Sequence, residues 1–306
     1  MPPRWPPAST RCHTAWFPCP CRGSDACHHS TVTELPSGVR NQLEQWDLSA
    51  DGPMTRGTSS MVLPVLASDG TSAVLKLGSP DAESEHEHLV LRRWGGDGAV
   101  RLLRADPRHR ALLLERLRPD DLGPLWDVEA CEVVAALYQR LHVPALPQLR
   151  SLTSDVELWI GDFEQLPRSA PIPRRLVEQA IGLSRDLTAE RSGAVVLHGD
   201  LHYGKVLAGD RAAWQAIGPK PVNGDPHFEI APMLWHRWDE FAGNIREGVR
   251  TRFHALVDAA GLDEARARSW TLIRVVHEAT RVLGDRAQAD SAALTRYVAL
   301  AKAVQD

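Results

Sequence analysis

A chain of 306 residues that is 43% hydrophobic and 24% charged has the composition of an ordinary globular protein, long enough for two modest domains or for two lobes sharing a cleft. Its 35 basic and 39 acidic side chains leave a net charge of −4, which excludes a nucleic-acid binder dominated by phosphate contacts and suits a cationic substrate. No apolar run approaches the roughly 20 residues that span a bilayer, and the opening residues hold no continuous hydrophobic signal segment, so a cytoplasmic protein that engages neither membrane nor nucleic acid is expected.

Four of the five cysteines (Cys12, Cys19, Cys21, Cys27) fall in the opening segment beside His13, His28 and His29. A zinc knuckle needs paired Cys-x-x-Cys arms, which this spacing does not provide. Pro2, Pro3, Pro6, Pro7, Pro18 and Pro20 deny the segment regular backbone hydrogen bonding, so residues 1–35 are expected to form a disordered extension. Composition changes abruptly near Val32, which raises the expectation that the native product starts there. Cys131 sits in an apolar helical pattern and is expected in the core.

Residues 36–50 (Pro36 to Ala50) read as an amphipathic helix with Val39, Leu43 and Trp46 on one face, broken by Asp51-Gly52-Pro53. Met61–Leu66, the turn Ser68-Asp69-Gly70-Thr71, and Ala73–Leu77 predict a β-hairpin. The preceding turn, Arg56-Gly57-Thr58-Ser59-Ser60, could lie over phosphates, although it is not a G-x-G-x-x-G. A helix from Pro80 to Trp94 carries Glu83, Glu85 and Glu87 and stops at Gly95-Gly96-Asp97-Gly98. Two further strands follow, Val100–Leu103 and Ala111–Leu117, the second running into Arg118-Pro119. From Leu122 the pattern turns helical, clearest over Val128–Leu141 and Leu176–Leu187. A β-rich part (36–118) and a helical part (119–306) are thus expected.

The most informative stretch is Val195-Val196-Leu197-His198-Gly199-Asp200-Leu201-His202-Tyr203-Gly204-Lys205-Val206-Leu207. A buried strand that ends in a tight polar turn holds side chains rigidly at the mouth of a cleft. A short hairpin and Trp214-Gln215-Ala216-Ile217-Gly218-Pro219-Lys220-Pro221 come next. After them stands Val222-Asn223-Gly224-Asp225-Pro226-His227-Phe228-Glu229-Ile230-Ala231. Trp235, Trp238 and Trp270, on later helices, are expected in the core.

The central stretch resembles the catalytic loop of the aminoglycoside phosphotransferases, H-[GN]-D-[LI]-[HN]-x-x-N, at every fixed position but the last. The segments Trp94–Leu103 (W-G-G-D-G-A-V-R-L-L) and His198–Gly204 (H-G-D-L-H-Y-G) most resemble the aminoglycoside and hydroxyurea resistance kinases, those acting on streptomycin among them. The likeness runs over roughly residues 40–285. It implies an α+β, bilobal, protein-kinase-like fold with a small β-rich N-lobe and a larger helical C-lobe. It also implies a monomer that uses ATP and Mg2+ to phosphorylate a hydroxyl of an aminoglycoside. Asp200 takes the part of the base that accepts the hydroxyl proton. Lys76, closing an Ala-Val-Leu-Lys strand, takes that of the lysine on the nucleotide phosphates. Spacing before Leu89 favours Glu85 as its ion-pair partner, leaving Glu83 and Glu87 as surface charges. The strand end at Glu115 and Leu117 corresponds to the hinge that meets adenine. His198, His202, Asp225 and Glu229 would brace the loop or meet substrate, and acidic Asp225, Glu229, Asp239 and Glu240 would suit a cation.

Two departures accompany the resemblance. The family's loop Asn is Lys205 here, and the Asp of its I-D-P-[KE]-P segment is Gly218. Both positions supply magnesium oxygens in the family, so no intact metal-ligand pair is expected, and turnover should be weak. One rival is a pseudokinase that binds nucleotide or drug without chemistry. A remote one makes His198, Asp200 and His202 the zinc ligands of a hydrolase.

Overall fold

The computed structural model describes residues 35–57, 59–190, 193–241, 243–284 and 291–305. The cysteine-rich extension and the composition change near Val32 lie outside them, as does Thr58 of the expected phosphate turn. The chain divides into two compact units, one ending at Asp81 and resuming over Leu102–Pro119, the other formed by Ala82–Arg101 and the chain from Asp120 onward.

The first unit is a helix laid on an antiparallel sheet. Helix α1 (Ser37–Trp46) is shorter than its sequence pattern: Asp47 turns left-handed at φ 53 and its N–H bonds back to Glu44 and Leu43. Leu48–Ala50, expected to continue the helix, instead form strand β1. Strands β2 (Thr55–Arg56), β3 (Ser60–Ala67), β4 (Ser72–Gly78), β5 (Leu102–Asp106) and β6 (Ala111–Glu115) complete the sheet, ordered β1-β3-β4-β6-β5 with β2 beside β3. The expected hairpin is β3–β4, where Asp69 accepts the Thr71 N–H at 2.9 Å and Gly70 takes φ 85. Alternation along β4 sends Ala73, Leu75 and Leu77 toward Val39, Leu43 and Trp46 of α1. Each such large apolar side chain contributes roughly 1.5–3 kcal/mol when buried. The same alternation puts Lys76 on the opposite face, between its cross-strand neighbours Val62 and Leu112, where it is 8% exposed.

The second unit opens with α2 (Glu87–Trp94), which begins later than its sequence pattern. Residues 82–86 form turns closed by short-range bonds such as Glu87 N–H to Ser84 O, 3.1 Å. Gly95 closes the helix in the left-handed region, as the glycine cluster predicts. Helices α3 (Asp127–Leu141), α4 (Leu152–Gln165) and α5 (Arg174–Ala189) follow. Cys131 is fully buried on α3. Strands β7 (Val195–Leu197) and β10 (Val222–Gly224) pair antiparallel, as do β8 (Val206–Ala208) and β9 (Trp214–Ala216). Short α6 (Ala231–Trp235) leads to α7 (Ile245–Ala260), α8 (Glu264–Gly284) and α9 (Ser291–Gln305). Trp270 is buried as expected, whereas Trp235 and Trp238 are half-buried. Among the described residues no helix is long and apolar enough to cross a membrane.

Candidate active site

The loop between β7 and β8 is anchored residue by residue, all within the helical unit. His198 is buried, its ring stacked on Trp94 with centroids 6.3 Å apart and planes within 8°. Its Nε2 donates to Ile217 O at 3.1 Å and its Nδ1 accepts the Asp200 N–H at 3.3 Å, so both ring nitrogens serve the backbone. Burial drives this imidazole down to about 4, against the pull of Glu229 and Asp200, so it stays neutral. Gly199 takes φ 80, and a Cβ there would stand 2.2 Å from Lys220 O; only glycine fits. Beneath the turn, fully buried Glu229 accepts the N–H groups of both His198 and Gly199, at 2.5 and 3.2 Å. Arg274 donates to Gly199 O and to Phe228 O. His142 Nε2 stands 3.8 Å from the Glu229 carboxylate. Burial opposes Glu229's charge most strongly, but His142, His198 and Arg274 outweigh it and hold the carboxyl below its ordinary range.

What this scaffold presents is Asp200, its side chain 19% exposed, with two ammoniums near one of its oxygens. Lys205 Nζ lies 4.0 Å and Lys220 Nζ 3.9 Å from the same carboxylate oxygen. Lys205 is on the 3₁₀ turn Tyr203–Lys205, where the His202 side chain accepts the Gly204 N–H. Lys220 also pairs with Glu83 at 3.1 Å. Burial would lower the lysine, but Asp200 and Glu83 outweigh it and raise it above its ordinary value. Asp200, Gly199 and Lys220 form part of the wall of a cavity of about 140 Å³. Three other carboxylates line it, and each is paired internally: Glu83 with Lys220, Asp155 with Arg150 at 2.5 Å, and Glu278 with Arg281 at 3.3 Å.

The donor set does not fit magnesium, which demands oxygen ligands at about 2.0–2.1 Å. Lys205 offers an ammonium, and Gly218, at φ 59, offers no side chain. Among the described residues, Asp200, His202 and His236 bring ligand atoms within 4.8 Å of one another. The His202 and His236 rings stack in parallel, 3.5 Å between centroids and 10° between planes, so their nitrogen lone pairs run side by side instead of converging. Zinc fits no better, with His202 Nδ1 already accepting Gly204 N–H at 3.3 Å. The zinc grouping of His198, Asp200 and His202 is overturned, because His198 has no nitrogen to spare.

The structure thus gathers Asp200, His202, Lys205, His198 and Glu229 into one loop and its support. Asp225 stands apart, capping the 3₁₀ turn Pro226–Ile230 through the His227 N–H and pairing with His227 and Arg266. Neither Asp225, Glu229, Asp239 nor Glu240 lines the cavity. Glu83, expected on the surface, lines it and holds Lys220, while Glu85 is exposed and Glu87 buried. Lys76 and Glu115 end up on β4 and β6 of the other unit, with Leu117 buried just beyond β6. Lys220 lies in the I-D-P-[KE]-P-like segment but is not singled out there; His236 and Arg274 have no local signal.

The family described as aminoglycoside/hydroxyurea antibiotic resistance kinase matches residues 45–285. A streptomycin 6-kinase of Streptomyces glaucescens is 42% identical over 282 residues, 88% of this chain and 90% of that protein. A hydroxyurea phosphotransferase of Kitasatospora aureofaciens is 41% identical over 266 residues, 83% of this chain and 75% of that one. In fold, the crystal structure of aminoglycoside phosphotransferase APH(4)-Ia superposes with a TM-score of 0.61 at 16% identity, over 87% of this chain and 98% of that chain. The choline kinase LicA of Streptococcus pneumoniae gives 0.59 at 12% identity, over 87% and 97%.

Proposed function

Because this chain belongs to the aminoglycoside/hydroxyurea antibiotic resistance kinases, we propose that it transfers phosphate from ATP to a hydroxyl of an aminoglycoside, streptomycin first among those to test. The observation that carries this reading is the Asp200 carboxylate at a cavity wall, on a turn whose backbone is held by Glu229, Arg274 and His198. Phosphoryl transfer asks a protein mainly for positioning and charge. Asp200 orients the substrate hydroxyl at about 3 Å and accepts its proton as the oxygen bonds to phosphorus and the γ-phosphoryl leaves ADP. In the β-rich unit, Lys76 is assigned to the nucleotide phosphates and the backbone around Glu115 and Leu117 to adenine. The enzyme acts as a cytoplasmic monomer.

The two positions that would hold magnesium are Lys205 and Gly218, and neither offers an oxygen ligand from its side chain. Losing one group of a preorganised site costs about 2.7–4 kcal/mol, or 10²–10³ in rate, so turnover is expected to be slow. The internal pairing of Glu83, Asp155 and Glu278 in a cavity of about 140 Å³ favours a second, smaller substrate, hydroxyurea, the substrate named for one relative. The test is to incubate the protein with ATP and a panel of aminoglycosides plus hydroxyurea and weigh the products. One phosphoryl gained by any of them supports the reading; none gained at any enzyme concentration overturns it.

A further inference from the structure

The two departures from the family pattern share one electrostatic direction. Asn replaced by Lys205 adds a positive charge, and Asp replaced by Gly218 removes a negative one. Together they make this place more positive by two, the charge one magnesium ion would bring. The positions are neighbours in space as well, since the N–H of Ile217 donates to Lys205 O at 2.9 Å. Lys220, two residues past Gly218, supplies a second ammonium facing the Asp200 oxygen that Lys205 faces, at 3.9 against 4.0 Å. Glu83 pairs with Lys220 at 3.1 Å, and the Lys205 side chain is 26% exposed.

An ammonium is a compact charge with three donors on a flexible stem, and it binds phosphate without the octahedral oxygen set that magnesium requires. Resting on the phosphotransferase reading above, we propose that Lys205 and Lys220 form a phosphate-binding pair that stands in for the divalent ion, so that this protein takes up ATP as the free polyanion. Magnesium bound to ATP cancels part of the charge this pair attracts and adds a cation that the two ammoniums repel. The magnesium complex is therefore the weaker ligand.

The experiment is calorimetric titration of the full chain with ATP, in excess EDTA and again in excess magnesium chloride. Binding in EDTA, weakened at least threefold by magnesium, is the expected result. Lys205→Asn should weaken binding of free ATP about tenfold, whereas Lys205→Arg should stay within a few-fold of the parent, separating charge from shape; melting curves verify that both variants are folded. Binding seen only with magnesium overturns the proposal, as does free-ATP affinity unchanged in Lys205→Asn and Lys220→Gln alike. The product assay run beside it separates the two readings. ATP bound in EDTA with no phosphorylated product supports the lysine pair and removes the kinase; product formed with magnesium but no uptake of free ATP does the reverse.

Discussion

The Lys205 ammonium stands 4.0 Å from the Asp200 carboxylate, on the same loop and five residues further along. The family places an amide oxygen at this position, so a metal-facing acceptor has become a cation facing the proposed base. His198, Gly199 and Glu229 hold the turn in a form that presents Asp200.

Asp200→Asn should reduce phosphotransfer about 10²- to 10⁴-fold, the usual contribution of a positioned base. Relieved of their shared counter-charge, Lys205 and Lys220 should bind free ATP at least as tightly as before. Product formation against time and ATP titration measure the two effects separately; a variant as active as the parent removes Asp200 from the chemistry.

Glu229→Ala leaves the buried N–H groups of His198 and Gly199 without an acceptor. At about 1–3 kcal/mol for each orphaned group, urea unfolding should show a loss of roughly 2–6 kcal/mol, with turnover falling as the loop loosens. Glu229→Gln keeps an acceptor oxygen and should recover most of the stability. A loss below about 1 kcal/mol for the alanine variant would mean that Glu229 does not hold the loop.

Acid should weaken the fold through His198. Burial, the largest cause, lowers this imidazole from 6.5 to about 4, although Glu229 and Asp200 pull the other way; Lys205 adds to the lowering. The unfolded chain therefore takes up a proton over this range that the folded one refuses. The contribution is complete above pH 6.5 and is lost as pH falls toward 4; it amounts to roughly 3 kcal/mol at most. His236, also lowered to about 4 mainly by burial, acts in the same window and with the same sign. Asp225 has its carboxyl held far below 3.8: burial opposes this, but His227 and Arg266 prevail, and its contribution is lost only at still lower pH. Urea midpoints at pH 7.5 and pH 5 should differ clearly in the parent and less in His198→Gln. A flat profile over that span contradicts neutral burial of His198.

Much of this was legible in the chain because it is written locally. A hairpin with an Asp-Gly turn, a Gly-capped helix and the His198–Lys205 loop each carry their signal within a dozen residues. Their failures are also physical. Leu48–Ala50 sit next to a helix in sequence, but strand pairing with Val65–Ala67 decides their fate. Glu83 reads, with Glu87, as a surface charge beside the favoured Glu85, yet a lysine 137 positions later determines its role. Glu229 could be read either as a loop brace or as a substrate acid, and only the fold puts its carboxylate beneath the turn, where it accepts the N–H groups of His198 and Gly199. Arg274 and His236 reach the loop from distant helical segments, where no spacing rule distinguishes them from core or surface side chains.

The most direct test is to put back both oxygens. Position 218 sits at φ 59, a left-handed conformation that costs most side chains roughly 1–2 kcal/mol and that Asp tolerates better than most; melting curves verify that the double variant, Lys205→Asn with Gly218→Asp, is folded. Phosphotransfer from ATP to streptomycin is then timed for parent and double variant with magnesium present. The account predicts a double variant faster by about 10² or more. A parent already turning over at about 1–100 s⁻¹, the ordinary kinase range, or a double variant no faster than its parent, would contradict it.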